Sequence, residues 1–262
     1  MDLGLTGKRA LVMSSSRGLG LGIAQGLAAE GAHVLLTGRS GGALADAAAS
    51  ITATGPGTAD HVVVDLNDSD VVETVTAAAE DKLGGVDILI NNTGGPPPGR
   101  MVDAAPESLA EHFSTMVLTV AGLTARLLPP MRAQNWGRVI TIASSGVVQP
   151  IPNLGLSNAL RSTLVGWSKS LSNDVAADGV TVNMLLPGRI HTERVDELDA
   201  AMAKRTSAAL EVDRAASRST IPAGRYGDVA EFAAVATFLA STKASYVTGG
   251  LIRCDGGAIK SV

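Results

Sequence analysis

One cysteine, Cys254, in 262 residues leaves the chain no internal disulfide. Such a chain suits a reducing compartment, and the expected location is the cytoplasm. Aromatic residues make up only 3%, so any core must be built from Ala, Val, Leu and Ile. No stretch reaches the eighteen or so uncharged apolar residues of a membrane helix. The opening MDLGLTGKRALV lacks a basic region followed by an apolar run and a cleavage site, which points to a soluble intracellular protein. An excess of base is missing too: 21 Lys and Arg stand against 25 Asp and Glu. A net charge of −4 argues against nucleic acid or an anionic membrane as the main partner. No His, Cys, Asp and Glu residues fall at metal-ligand spacing, so no metal is expected.

What is present is a chain with 45% hydrophobic residues, enough for a sizeable core. Short apolar runs alternate with Ala-rich helical stretches. Strands are expected at Lys8–Ser14, His33–Thr37, His61–Asp65, Val86–Asn91, Gly137–Ala143, Val180–Leu186 and Leu251–Cys254. Helices are expected at Gly18–Glu30, Ala43–Thr54, from an N-cap at Asp68 to Leu83, Pro106–Arg132, Leu154–Ala177 and Asp228–Leu239. Strands apolar on both faces, each followed by a helix, imply a parallel sheet covered on both sides. The fold class is α/β: one doubly wound Rossmann domain over residues 1–262 with a mainly parallel, seven-stranded sheet. Residues 188–227 read as an irregular charged segment with a helical stretch at Leu198, Met202 and Leu210. A loop of that length often forms a lid.

The first strand runs through Met13-Ser14-Ser15-Ser16-Arg17-Gly18-Leu19-Gly20 into a helix. A turn of this kind presents backbone N–H groups and a helix N-terminus to a pyrophosphate. Ser14 holds the place usually given to the first glycine. Left-handed geometry there would cost about 1–2 kcal/mol, which hydroxyls of Ser14, Ser15 and Ser16 would offset by bonding phosphate. The second strand ends in TGRS with no acid at its tip. Arg39, with Arg17, favours a 2′-phosphate and hence NADP(H) over NAD(H).

Asp65-Leu66, Asn91-Asn92-Thr93-Gly94, Ser144, Pro187-Gly188 with Thr192, and Asp255-Gly256-Gly257 complete a series in order and spacing. With the glycine turn, the whole chain resembles the short-chain dehydrogenase/reductase family, in its 3-oxoacyl-carrier-protein-reductase-like branch. The resemblance implies that residues 14–20 hold the pyrophosphate and that Arg17 and Arg39 lie near the 2′-phosphate. It places Asp65 and Leu66 beside the adenine and Asn92, with Gly94, beside the ribose. Pro187, Gly188, Ile190 and Thr192 would line the nicotinamide, and Ser144 would donate to the reacting carbonyl oxygen. It also implies a homotetramer.

This sequence departs from the family at the catalytic centre. The family's proton-donating tyrosine and the lysine four residues later fall on Ser157 and Arg161, and a supporting helix asparagine falls on Met116. Tyr226 and Tyr246 lie far downstream, and Lys169 has Val165 four residues before it. A serine hydroxyl is a much weaker acid than a phenol, and arginine stays charged and relays protons poorly, although Arg161 can still bind the cofactor's ribose hydroxyls. Ser144, Ser157 and Arg161 remain able to form an electrostatic oxyanion site, with water supplying the proton. His191 is the one histidine near the nicotinamide-side loop, more in keeping with a solvated residue than an acid. Arg194, Arg205, Arg214 and Arg218 would meet an anionic substrate tail or form a solvated face.

The first expectation is an NADP(H)-dependent oxidoreductase interconverting a carbonyl and a secondary alcohol with an atypical catalytic set. The second is a catalytically impaired nucleotide-binding or interaction protein. The third is a cofactor-independent lyase or dehalogenase, ranked last because such relatives keep the tyrosine and lose the glycine turn.

Overall fold

A computed structural model describes residues 1–207 and 209–261. It contains one seven-stranded sheet, β1 (Arg9–Val12), β2 (His33–Gly38), β3 (Thr58–Val63), β4 (Ile88–Asn91), β5 (Gly137–Ile142), β6 (Val180–Pro187) and β7 (Leu251–Cys254). The spatial order is β3-β2-β1-β4-β5-β6-β7 and every neighbouring pair is parallel. Residues alternate between two cores. Ala10, Val12, Ile88 and Ile90 face α1 (Gly18–Ala29), α2 (Gly41–Thr54) and α9 (Val229–Ala240). Leu11, Met13, Leu89 and Val139 face α3 (Val71–Leu83) and α5 (Thr119–Ala133). A third cluster joins Met116 and Val120 to Leu160 and Leu164 of α6 (Gly155–Val175). Burial on both faces is why these strands read as continuous apolar runs. Among the described residues no helix is long and apolar enough to cross a membrane, and no group of metal-binding side chains is assembled.

The strand order reverses between β1 and β4, so their carboxyl ends open the crevice where ligands bind in such sheets. That crevice positions the site.

Four local expectations need correction. β3 is set by its register with β2, His33 opposite Thr58; it spans Thr58–Val63 and, as an edge strand, is half exposed. Asp68 does not cap α3. Its carboxylate accepts from the Asp65 N–H at 3.3 Å, and the helix begins at Val71. The long helix after β4 is interrupted: α4 (Pro106–Phe113) passes through a π turn at Ser114–Leu118 into α5. The charged segment is two helices, α7 (Glu193–Thr206) and α8 (Leu210–Ser219). α7 is fastened by the buried Asp199, which accepts from Arg189, from Arg214 Nε at 3.4 Å and from the Tyr226 hydroxyl at 3.0 Å. Burial pushes the Tyr226 phenol above its ordinary range, so it stays a donor.

At the opposite end of the sheet, Asp87 ties three elements together. It accepts from Arg9 N and Nε at 2.9 Å each, Arg9 Nη2 at 2.7 Å and Gln134 Nε2 at 3.0 Å. Burial alone would raise its pKa; the bonds from Arg9 and Gln134 outweigh it and hold the carboxyl below its ordinary value. A carboxylate depressed in this way stabilises the fold above its unfolded pKa, and that stability is lost as pH falls through the folded value. Asp87→Asn is therefore expected to lower stability at pH 7 by about 2–3 kcal/mol. Chemical denaturation should show the loss fading as the pH falls below about 4, with nucleotide affinity at neutral pH unchanged.

Candidate active site

The turn after β1 is built on a strained residue. Ser14 has φ +48°, in the left-handed region, and Gly18 follows at +59°. Ser14 N–H donates to Thr37 Oγ1 at 3.0 Å, and Asn92 Nδ2 donates to Ser14 O at 3.1 Å and Met13 O at 3.2 Å. These bonds hold the residue against a conformational cost of about 1–2 kcal/mol. Ser15 does not face a ligand. Its hydroxyl is buried, donating to Val12 O at 2.7 Å and accepting from Thr37 N at 3.0 Å. The expectation that it offsets the strain through phosphate is corrected: it binds β1 to β2 instead. The amide of Asn92 braces the turn.

The turn can still receive an anion. α1 has no acid in its first turn and no side-chain cap, and the N–H groups of Leu19 and Gly20 have no acceptor outside the helix among the described residues. A Cβ on Gly20 would run into Ser14 O and lie 2.9 Å from both Asn92 Nδ2 and Ser15 Cα. Backbone cannot move aside as a flexible side chain can. Gly20→Ala is expected to cost about 1–3 kcal/mol and to weaken nucleotide binding. Gly42→Ala, in open space on α2, should instead gain up to about 1 kcal/mol. Urea denaturation of the pair checks both signs.

At the turn's outer edge Arg17 pairs with Glu193 and lies 4.0 Å from Glu197, both on α7. Arg39, largely exposed, is 3.9 Å from Asp65, whose other carboxylate oxygen accepts from Asn67. Leu66 packs against the second core. Across the crevice Gly188 lies against Asp255, where a Cβ would be 2.6 Å from its Cα. Ile190 is buried in the main core, bridged to Gly227. Thr192 caps α7, accepting from Val195 N at 3.4 Å, and its methyl faces Gly18. The starts of α1 and α7 therefore meet.

Ser144 lies just beyond β5, at the start of the short turn Ser145–Val147. Its Oγ accepts from Gly146 N at 3.0 Å, leaving its own O–H free to donate. Ser157 sits in the first turn of α6, half buried, with no hydrogen bond to its hydroxyl among the described residues. Its neighbour Asn158, not anticipated from the sequence, clamps the loop before it. Asn158 donates to Ile151 O at 2.9 Å and accepts from Ile151 N at 3.3 Å. A side chain at Gly146 would collide with it.

Arg161 is 8% exposed. Nη1 donates to Ile142 O at 2.9 Å; Nη2 donates to Thr93 O at 3.4 Å and Gly94 O at 3.3 Å. The guanidinium thus straps the ends of β4 and β5 together. Burial, and then the nearby charge of Arg194, pushes its pKa down to about 10, so it stays charged at neutral pH. Met116 is buried in the π turn beneath α6. His191 is exposed, with Nε2 3.6 Å from Asp196. Of the charged-segment arginines, Arg214 pairs with Asp196 and Asp199 and Arg218 with Glu211, while Arg205 lies on Met202. Only Arg194 turns to the crevice, donating to Pro96 O at 3.2 Å.

Known proteins resemble the chain over nearly its whole length. A family profile described as enoyl-(acyl carrier protein) reductase matches residues 13–258. The 3-oxoacyl-[acyl-carrier-protein] reductase of Vibrio cholerae is 34% identical over 257 residues, covering 97% of this chain and 98% of that protein. The structure of L-sorbose reductase from Gluconobacter frateurii, complexed with NADPH and L-sorbose, superposes with a TM-score of 0.94 at 32% identity, covering all of both chains. A 3-oxoacyl (acyl-carrier-protein) reductase from Agrobacterium tumefaciens with NADP bound gives 0.87 at 32% identity, covering 97% and 95%.

Proposed function

The chain belongs to the short-chain dehydrogenase/reductase family of oxidoreductases, and from that premise we propose that it interconverts a carbonyl and a secondary alcohol with NADP(H). The proposal includes an altered catalytic set of Ser144, Ser157 and Arg161, and a lid formed by residues 188–227. The observation that carries it is the anion-ready turn: uncapped α1, free N–H groups at Leu19 and Gly20, and no room for a Cβ at residue 20. NADPH and NADP in the solved relatives support the choice of cofactor.

The residues present fit that cofactor. Residues 14–20 would hold the pyrophosphate, Arg17 and Arg39 the 2′-phosphate, and Pro187, Gly188 and Thr192 the nicotinamide side. Bound NADPH supplies the hydride. Ser144 holds a proton on Oγ and, with its lone pair engaged by Gly146 N–H, donates to the substrate oxygen. The Ser157 hydroxyl is unengaged and adds a second donor. Arg161 contributes fixed positive charge from behind the sheet ends, favouring the developing alkoxide. Neither serine is acidic enough to be a good proton source, so water delivers the proton and the reaction is slow. The loss of a positioned general acid typically costs about 10²–10⁴ in rate.

A second reading follows from Arg161. Three of its donors go to backbone carbonyls, which suits a structural strap in a nucleotide-binding protein with little turnover. A titration with NADPH followed by single-turnover mixing with a carbonyl panel separates the two. Oxidation of bound NADPH supports the enzyme; tight binding without oxidation supports the strap. A cytoplasmic homotetramer is the assembly we propose. The exposed Leu118, Phe238 and, on the edge strand, Leu251 provide apolar surface for it.

A further inference from the structure

We propose that the carbonyl substrate of this crevice carries an oxyanion, a carboxylate or a phosphate, received by Arg194 with Arg161 behind it. The inference rests on reading this end of the sheet as a carbonyl-handling site.

The wall formed by residues 93–99 collects positive potential from three sides. Arg161 donates to Thr93 O and Gly94 O. Arg194, from α7, donates to Pro96 O. Gly99 is bridged to Leu154 at the start of α6, whose first turn has no acid and no side-chain cap. The N–H groups of Leu156 and Ser157 have no acceptor outside the helix among the described residues. A 21-residue helix therefore points an unsatisfied, electropositive end at the same loop.

Within the loop and the flanking strands and helices that carry it, no acid balances this charge. No Asp or Glu occurs between Asp87 and Asp103, or between Glu111 and Asp174. Arg161 is more than nine-tenths buried, its bonds go only to neutral carbonyls, and its Nε has no acceptor among the described residues. Burying an unpaired cation is costly, and a second cation facing it raises the cost. Arg138 offers a contrast at the far end of the sheet. It is also buried and carbonyl-bound, but it lies 4.4 Å from the centre of the Trp136 ring, whose π face stabilises the charge. Among the described residues Arg161 has no such ring.

Arg194 is the lid cation left available. Its one acid partner among the described residues is Glu197, three residues on along the same helix at 3.1 Å with both side chains about half exposed, a contact of little strength. Glu197 is shared with Arg17. An oxyanion entering between the lid and residues 93–99 would gain charge-assisted bonds from Arg194 and relieve the repulsion with Arg161.

The test is a set of calorimetric titrations with paired ligands, on protein with and without NADP bound. The pairs are 2-oxobutyrate with 2-oxobutanamide, and dihydroxyacetone phosphate with dihydroxyacetone. The charged member of at least one pair should bind about tenfold or more tightly than its neutral partner. Which pair responds distinguishes carboxylate from phosphate. Arg194→Gln should bring the ratio to within about twofold, while its melting temperature stays that of the parent. Equal binding within both pairs, no binding by any member, or a preference that survives both Arg194→Gln and Arg161→Met would overturn the inference. A charge preference in protein that binds no NADP would sink the redox reading and leave the anion site standing.

Discussion

The double variant Ser157→Tyr, Arg161→Lys should reduce carbonyl substrates about 10²–10⁴ times faster than the parent protein. A phenol, with a reference pKa near 10, is a far better proton donor than an aliphatic hydroxyl. A nearby ammonium lowers that pKa further and rotates to meet its partners, which a guanidinium fixed on three carbonyls does not. Ser157 is half buried in the first turn of α6. The exchange at 161 has a separate cost. A single ammonium cannot reach Ile142, Thr93 and Gly94 as the Arg161 fork does, and stability should fall by about 1–2 kcal/mol. Steady-state kcat/KM with NADPH, read beside a denaturation curve, separates these effects. The gain should belong to the pair, with Arg161→Lys alone giving the stability loss and no acceleration. A folded double variant no faster than the parent would show that something other than the missing acid limits the site.

Removing both arginines at the cofactor's outer edge, Arg17→Gln with Arg39→Gln, should weaken NADPH binding by about 10²-fold or more. NADH, which lacks the 2′-phosphate, should lose less than about threefold. The two arginines are not equivalent in the present structure. Arg39 is only loosely placed, 3.9 Å from Asp65, whereas Arg17 is engaged by Glu193. The single Arg39→Gln change should therefore account for most of the loss. Fluorescence titrations of both nucleotides against the three variants measure this directly. An equal drop for NADH would assign the arginines to fold or turn geometry.

The sheet and the glycine turn were readable because their causes are local. Strands buried on both faces must be apolar throughout, and the turn after β1 needs small residues where Gly20 meets Ser14 and Ser15. Seven strands, their order along the chain and the early helices all follow from such patterns. What escaped depends on partners distant in sequence. Ser15 looks like a ligand-facing hydroxyl until Thr37, on the next strand, is placed beside it. Asn92 reaches back to Met13 and Ser14, a contact no spacing rule contains. Residues 193–219 looked irregular because their charges hide a tertiary purpose: Asp199 is buried under Arg189, Arg214 and Tyr226. At the catalytic centre the family pattern pointed to Ser144, Ser157 and Arg161 by their places in the sequence. It could not show that Arg161 would be tied to backbone carbonyls, since those carbonyls belong to two other strand ends.

The central claim, that Ser144, Ser157 and Arg161 still support hydride transfer, is tested most directly by single-turnover mixing of NADPH-loaded protein with a broad carbonyl panel. The account predicts slow oxidation of the bound cofactor by at least one panel member, slowed about tenfold or more again by Ser144→Ala. Tight NADPH binding with no oxidation by any member would contradict it.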